Sequence, residues 1–239
     1  MKVVITQSML FPWVGLLEQI RLADVLVFYD DVQFSKGSFT NRVQVKTPTG
    51  IQWMTVPLQE LKLGAVIDEV KTVPVLQWRE KHLALLDRSF KGAPYSNDAL
   101  LMARKIYSVD HPSIGHLARA SMLALGHYFG LLQGKRILDV RDLCINGSGS
   151  QRVLDIVRAI GGTVYITGHG ARNYLDHEAF EESGVKVHYM RYESQPYPQR
   201  WGEFTPYVTA LDLLASLGRA GQDQIVSTSV PWREFLSRS

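Results

Sequence analysis

Residues 2–31 read KVVITQSMLFPWVGLLEQIRLADVLVFYDD, and this stretch decides the fold. Lys2 to Ile5 is a β-branched run with the character of a buried strand, and Val25 to Tyr29 is a second continuous apolar run, stopped by Asp30 and Asp31. Between them, Pro12 to Leu22 sets Leu16, Leu17 and Ile20 at helical spacing, with a proline near the helix start, where its missing N–H does no harm. Strand, helix and strand in so short a stretch is the length scale of a βαβ unit, so a parallel sheet is expected.

Outward from that unit, Asn41 to Leu58 alternates around the turn Thr47-Pro48-Thr49-Gly50 and reads as a hairpin. Val66 to Val73 reads as another strand and Leu76 to Phe90 as a helix. Helical character then runs from Asn97 to Leu132, split at Pro112, with Ser113 or Ser108-Val109-Asp110 offering an N-cap. Lys135 to Val140 returns to strand character, and Asn146-Gly147-Ser148-Gly149-Ser150 opens a helix that Gly161-Gly162 ends. Thr163 to Thr167, Tyr174 to Glu182, Val185 to Tyr189 and Ala210 to Leu217 continue as strand, helix, strand and helix. The expected fold is α/β with a mainly parallel, Rossmann-like central sheet, in one domain over 1–239 that carries a hairpin insertion at 36–58 and a helical subregion at 97–132. That subregion is expected to cap a pocket at the strand ends.

The chain has 239 residues, 46% apolar and 21% charged, an ordinary globular composition that excludes wholesale disorder. Lys and Arg total 26 against 23 Asp and Glu, and the resulting +3 is too small an excess for a counterion-release argument, so no nucleic-acid partner is expected. The one cysteine, Cys144, forms no intrachain disulfide or thiolate metal cluster and fits a reducing compartment. The first apolar run meets Gln7, Ser8, Pro12 and Glu18 without forming an export signal, and later apolar stretches are broken by charge before the ~20 residues a spanning helix needs. A cytoplasmic protein without membrane insertion is expected.

Ligands of parallel α/β sheets sit outside the carboxyl ends of the strands, so the junctions there hold the candidates. The first strand empties into Gln7 and then Pro12, Trp13 and Gly15, where helix amides can hold phosphate; a helix cap with a buried tryptophan is the plainer account. The second ends in Asp30-Asp31, followed by Lys36, Asn41 and Arg42. Paired carboxylates hold Mg²⁺ or supply a base, as in some metal-dependent glycosyltransferases, or simply mark a strand end; Lys36 and Arg42 can neutralise phosphate or an oxyanion. A later strand runs into Thr167-Gly168-His169-Gly170-Ala171-Arg172-Asn173, whose glycines free the backbone for anion contacts and whose Asn173 adds a donor. His169 is the best acid/base candidate among seven histidines, against the reading of an exposed, inert ring. No histidine pair has metal-site spacing, and no metal site is expected. Tyr192 to Trp201, with Tyr197 and Gln199, is too aromatic for an ordinary linker and fits either a wall that stacks flat or sugar rings or a rigid loop on the sheet. These residues are expected to converge in one composite site, in which Asp31 or His169 takes a proton, Asp30 orients, and Lys36 and Arg42 stabilise charge.

Thr6-Gln7-Ser8 with Pro12-Trp13-Val14-Gly15, Asp30-Asp31-Val32-Gln33, Asn41-Arg42 and Trp53-Met54-Thr55-Val56-Pro57 resemble the WbqC-like family in order and spacing. The resemblance continues through Ala93-Pro94-Tyr95, Tyr165-Ile166-Thr167-Gly168, Tyr197-Pro198-Gln199 and Leu211-Asp212-Leu213-Leu214, covering nearly the whole chain. The chain departs from it at Met9-Leu10, where members often have Asn-Tyr, and at Gly15-Leu16-Leu17, where they often have Gly-Tyr-Phe. Ser150-Gln151 replaces a threonine and acid before Arg152, so no charge-dependent role for that helix start is carried over. The resemblance implies an enzyme of bacterial surface-polysaccharide (O-antigen, lipopolysaccharide) biosynthesis, a transferase of a glycyl or similar acyl group onto a nucleotide-linked amino sugar. A free amino acid needs activation for this, and the two glycine-bearing loops loosely resemble adenylate-forming HUP-like folds, which implies ATP and Mg²⁺. The chain lacks the HIGH and KMSKS sequences of those enzymes. A metal-dependent glycosyltransferase and a noncatalytic sugar-nucleotide-binding module are the alternatives.

Overall fold

A computed structural model describes residues 1–237. Among these residues, the strands β1 (Lys2–Thr6), β2 (Val25–Phe28), β5 (Arg136–Asp139), β6 (Val164–Thr167), β7 (Lys186–Arg191) and β8 (Thr228–Pro231) form one sheet in the order β5-β2-β1-β6-β7-β8. The first five run parallel, with Val4 opposite Leu26, Val3 opposite Tyr165 and Ile166 opposite His188, while β8 is an antiparallel edge strand. The parallel strands, taken in chain order, stand 3-2-1-4-5, so the winding reverses between β1 and β6, where doubly wound sheets open a crevice. The expected α/β class and mainly parallel sheet hold.

Alternation along the strands sends their side chains to opposite faces. Val4, Leu26, Phe28, Ile166 and Met190 meet residues of α1 (Val14–Leu22), α2 (Arg79–Phe90), α3 (Ser96–Tyr107), α4 (Ile114–Tyr128) and α7 (Ala210–Leu217). Val3, Ile5, Val25, Val27, Tyr165, Val187 and Tyr189 meet α5 (Gly149–Ala159), α6 (His177–Glu182) and α8 (Trp232–Ser237). The hairpin β3 (Arg42–Thr47) and β4 (Gly50–Thr55) turns Val43, Val45 and Met54 into the first of these layers. Beneath it, the His82 ring lies between the Thr55 carbonyl at 3.0 Å from Nε2 and the Tyr107 hydroxyl at 3.1 Å from Nδ1. Nε2 donates and Nδ1 accepts, which suits a neutral imidazole, and burial pushes His82 down to about 4.

Two expectations change. Val66 to Val73 is not a strand: Val66 and Thr72 make isolated bridges, and the amides of Ile67 and Asp68 donate to the Val32 and Asp30 carbonyls at 3.0 Å. Its apolar residues Ile67 and Val70 are buried because this loop is clamped beneath the exit of β2, which gives a strand-like composition without a ladder. The helical subregion, divided at an N-cap where the Ser113 hydroxyl accepts from the His116 amide, does not cap the pocket. It packs against α1 and α7 on one face of the sheet and supplies none of the cleft's lining.

Candidate functional site

A cleft of 1290 Å³ opens at the carboxyl ends of β1, β2 and β6, at the reversal of the winding. Gln7, Met9 and Trp13 line it from the exit of β1, Tyr29, Asp31 and Gln33 from that of β2, and Thr167 to Ala171 from that of β6. Gly147, Ser148, Gly149 and Arg152 come from the start of α5, and Phe39, Tyr165, Tyr174, Tyr192 and Tyr207 complete an aromatic wall.

The Trp13 ring lies 5.0 Å from Tyr192 and 6.0 Å from Tyr207. It folds over the start of α1, and a Cβ built on Gly15 would fall 2.2 Å from it, so Gly15 serves the close approach of this indole. Phe11, just before, has φ +38°, and its backbone is pinned from both sides: its N–H donates to Ser121 Oγ at 2.7 Å and its carbonyl accepts from Thr209 Oγ1 at 2.8 Å. Contacts from α4 and the start of α7 thus hold a left-handed backbone that feeds Trp13 toward the cleft.

The two aspartates of β2 divide. Asp30 is buried and accepts from the Ser8 amide at 2.8 Å, the Ser8 hydroxyl at 2.6 Å and Arg119 at 2.9 Å. Arg119 also binds Asp139 at the end of β5, so Asp30 braces the loop that carries Gln7 and does not line the cleft. Asp31 does line it, in a two-point pair with Arg152: Oδ1 lies 3.1 Å from Nη1 and Oδ2 2.5 Å from Nη2. Arg152 Nε donates to the Ile145 carbonyl at 3.0 Å, and the guanidinium lies 5.0 Å from the Tyr29 ring. The hydrogen bond to Asp31, the largest cause, pushes Arg152 above its usual range.

His169 Nε2 lies 2.7 Å from the Met190 carbonyl, with the ring packed between Tyr192 and Phe235. A nitrogen facing a carbonyl carries the hydrogen, so in the neutral ring Nδ1 keeps its lone pair and can accept a proton. Also lining the cleft, Ser148 caps α5 without a side-chain bond, no acid sits in the first turn, and Gly147 and Gly149 adopt φ +111° and +61°. This edge presents backbone donors at the positive end of a helix.

Of the expected site residues, Gln7, Trp13, Asp31, Thr167, Gly168 and His169 come together, with Asp30 behind them. Pro12 is buried and its carbonyl accepts from the Ala210 amide at 2.7 Å. Asn41 Nδ2 donates to the Val56 carbonyl at 3.0 Å, and Arg42 lies 4.1 Å over Trp53 with Nε on the Gly37 carbonyl, so both serve the hairpin. Lys36 and Asn173 are exposed, and neither they nor Gly15 lines the cleft. Tyr197 and Gln199 belong to a separate polar knot in which Lys46 Nζ donates to Gln199 Oε1 at 3.0 Å and to the Gly202 and Glu203 carbonyls. There Gln199 Nε2 donates to Tyr197 Oη at 3.0 Å and the Thr205 carbonyl at 2.9 Å. Asp212 is buried beside Tyr197, and burial pushes it up to about 6.

Arg152 was not among the expected residues, nor were Tyr29, Tyr165, Tyr174 and Tyr207. A strand-end tyrosine directly before Asp30-Asp31 and an arginine one turn after a glycine-rich helix start are the signals that could have found the first two.

A doubly wound α/β protein with an aromatic-walled cleft at its switch point is what fold and site define. The chain belongs to the WbqC-like protein family, which it matches over residues 7–224. It is similar to an uncharacterized protein of Mycobacterium tuberculosis, 29% identical over 228 residues that cover 94% of this chain and 97% of that protein. No solved structure matches it significantly. Among the described residues, no helix is long and apolar enough to cross a membrane.

Proposed function

We propose that the protein is a transferase of bacterial surface-polysaccharide biosynthesis that moves a glycyl, aminoacyl or other acyl group onto the amine of a nucleotide-linked amino sugar in the cytoplasm. The observation that carries this reading is the cleft itself, in which flat aromatic rings, two glycine-bearing edges and one histidine with a free ring nitrogen meet at a switch point. Trp13, Tyr192 and Tyr207 stack a base or sugar ring, and the amides of Gly147 to Gly149 and Gly168 to Gly170 approach phosphate. His169 Nδ1 takes the proton as the sugar amine attacks the acyl carbonyl; the C–N bond forms, and the leaving group departs with the electron pair of the bond that breaks. A free carboxylate is not an acylating agent, so a free amino acid donor calls for ATP with Mg²⁺ as activating co-substrate. Glycosyl transfer through an Asp30-Asp31 metal pair is less favoured, because each carboxylate is committed to a different arginine.

The test is incubation of the protein with ATP, Mg²⁺, glycine and a panel of uridine- and thymidine-diphosphate amino sugars, read by mass spectrometry. Gain of one glycyl unit on the sugar is expected. Metal-dependent release of the nucleotide would replace this reading with glycosyl transfer, and binding without turnover would make the protein a noncatalytic module.

A further inference from the structure

Resting on the aminoacyl form of that reading and narrowing it, we propose that Asp31 and Arg152 together seat a zwitterionic α-amino acid, Asp31 taking its ammonium and Arg152 its carboxylate. Arg152 is the one lysine or arginine, and Asp31 the one acid, among the described residues that line the cleft. Side by side, they repel ligands of a single charge: a bare anion meets the Asp31 carboxylate, a bare cation the guanidinium. A dipolar ion whose opposite charges are one carbon apart gains from both.

The pair is fixed before any ligand arrives. The Ile145 carbonyl, Asp31 and the Tyr29 ring hold the guanidinium in place, and the side chains are 9% and 15% exposed for Arg152 and Asp31. Its hydrogen bonds are nonetheless incomplete. Nη2 makes one bond, to Asp31, so its second hydrogen has no acceptor among the described residues. Each Asp31 oxygen accepts one bond from Arg152 and keeps lone pairs free. The uncapped start of α5, the helix that carries Arg152, lines the same cleft.

The arrangement also addresses chemoselectivity. An amino acid donor carries its own amine, which competes with the sugar amine as nucleophile. An ammonium held on Asp31 has no lone pair and cannot attack, whereas the acceptor amine loses its proton to His169.

Calorimetric titration of the full chain with glycine, L-alanine, acetate and methylamine, each with and without ATP and Mg²⁺, tests this. Glycine and alanine are expected to bind in at least one of the two conditions, with acetate and methylamine at least about tenfold weaker. The charge-neutral double variant Asp31→Asn with Arg152→Gln leaves no single buried charge and is expected to lose glycine binding with its melt retained. If that variant does not fold, Asp31→Asn alone is expected to bring the glycine-to-acetate affinity ratio to about one. Acetate binding as tightly as glycine, a variant that keeps the preference, or no amino acid binding in either condition overturns the proposal. Transfer of a non-amino acyl group without glycine binding overturns the seat and leaves the acyltransferase reading standing. Glycine binding without any mass gain on the sugars does the reverse.

Discussion

The cleft wall and the knot beneath Tyr197 use the same materials: aromatic rings, amides, one basic side chain and one aspartate. They differ in how their donors are spent. In the knot, Lys46 Nζ reaches three oxygens and Gln199 Nε2 reaches Tyr197 and Thr205, so the donors of both side chains are spent within the knot. In the cleft, Arg152 keeps an unmatched N–H, His169 keeps a free nitrogen and Ser148 leaves its helix start uncapped. Partners separate the acids as well, since Asp31 has an arginine whereas Asp212 Oδ1 has no hydrogen-bond partner among the described residues. Polar, aromatic composition therefore does not mark a binding site; unsatisfied donors and acceptors facing open volume do.

The strongest way to break this contrast is His169→Ala. Turnover in the transfer assay is expected to fall by roughly 10²–10⁴-fold while the denaturation midpoint changes little. A variant that unfolds readily and keeps its specific activity would put His169 with the structural set.

A pH series sharpens the other side. Asp212 sits above its unfolded value, so the folded state holds its proton through the window from about 4 to about 6, and its contribution to stability is lost there as pH rises. His82 sits below its unfolded value, so its contribution is present above about 6.5 and is lost as pH falls toward 4, a slope of opposite sign. Asp212→Asn removes one of the two opposing slopes. Urea unfolding between pH 4 and 6.5 is expected to show the variant gaining stability with pH, by up to about 3 kcal/mol relative to wild type at the upper end. Parallel curves for the two proteins would rule this out.

Gln199→Ala probes the knot directly. It strips an acceptor from Lys46 and from the Thr205 amide, which lies 2.9 Å from Gln199 Oε1, and is expected to cost about 2 kcal/mol in chemical denaturation with ligand affinity at the cleft changed less than about twofold. The smallest effect is expected from Gly15→Ala. The added methyl displaces the Trp13 ring and is expected to weaken nucleotide binding several-fold for about 1 kcal/mol of stability. Unchanged affinity would show that the indole is not part of the binding wall.

The sheet was legible because apolar runs such as Val3 to Ile5 and Val25 to Phe28 are buried on both faces and leave no polar period to misread. Val66 to Val73 was misread because burial of a clamped loop and burial of a strand demand the same side chains. β8 escaped because Thr228, Ser229, Val230 and Pro231 form a short edge, with pairing on one side and little apolar signal. The strand-end rule brought Gln7, Asp31 and His169 to one place. It did not separate Asp31 from Asp30, since neighbours on a chain leave a strand in different directions and only the third dimension assigns each its arginine. Arg152 was hidden because one arginine on an amphipathic helix looks like solvent-facing charge until its helix is docked.

The position of β1 at the centre of the sheet also bears on how the chain is made. Its neighbours are β2, close behind it, and β6, whose Val164 and Tyr165 pair with Lys2 and Val3. On the ribosome, β1 and β2 are complete well before β6 is translated, and until then one side of β1 is a bare edge. Its Val3 and Ile5 then lack the partners from α5 and β6 that later cover them. The nascent protein thus carries its most aggregation-prone edge through much of its own synthesis, and a chaperone that shields extended apolar segments would act on the residues that end up deepest in the native molecule.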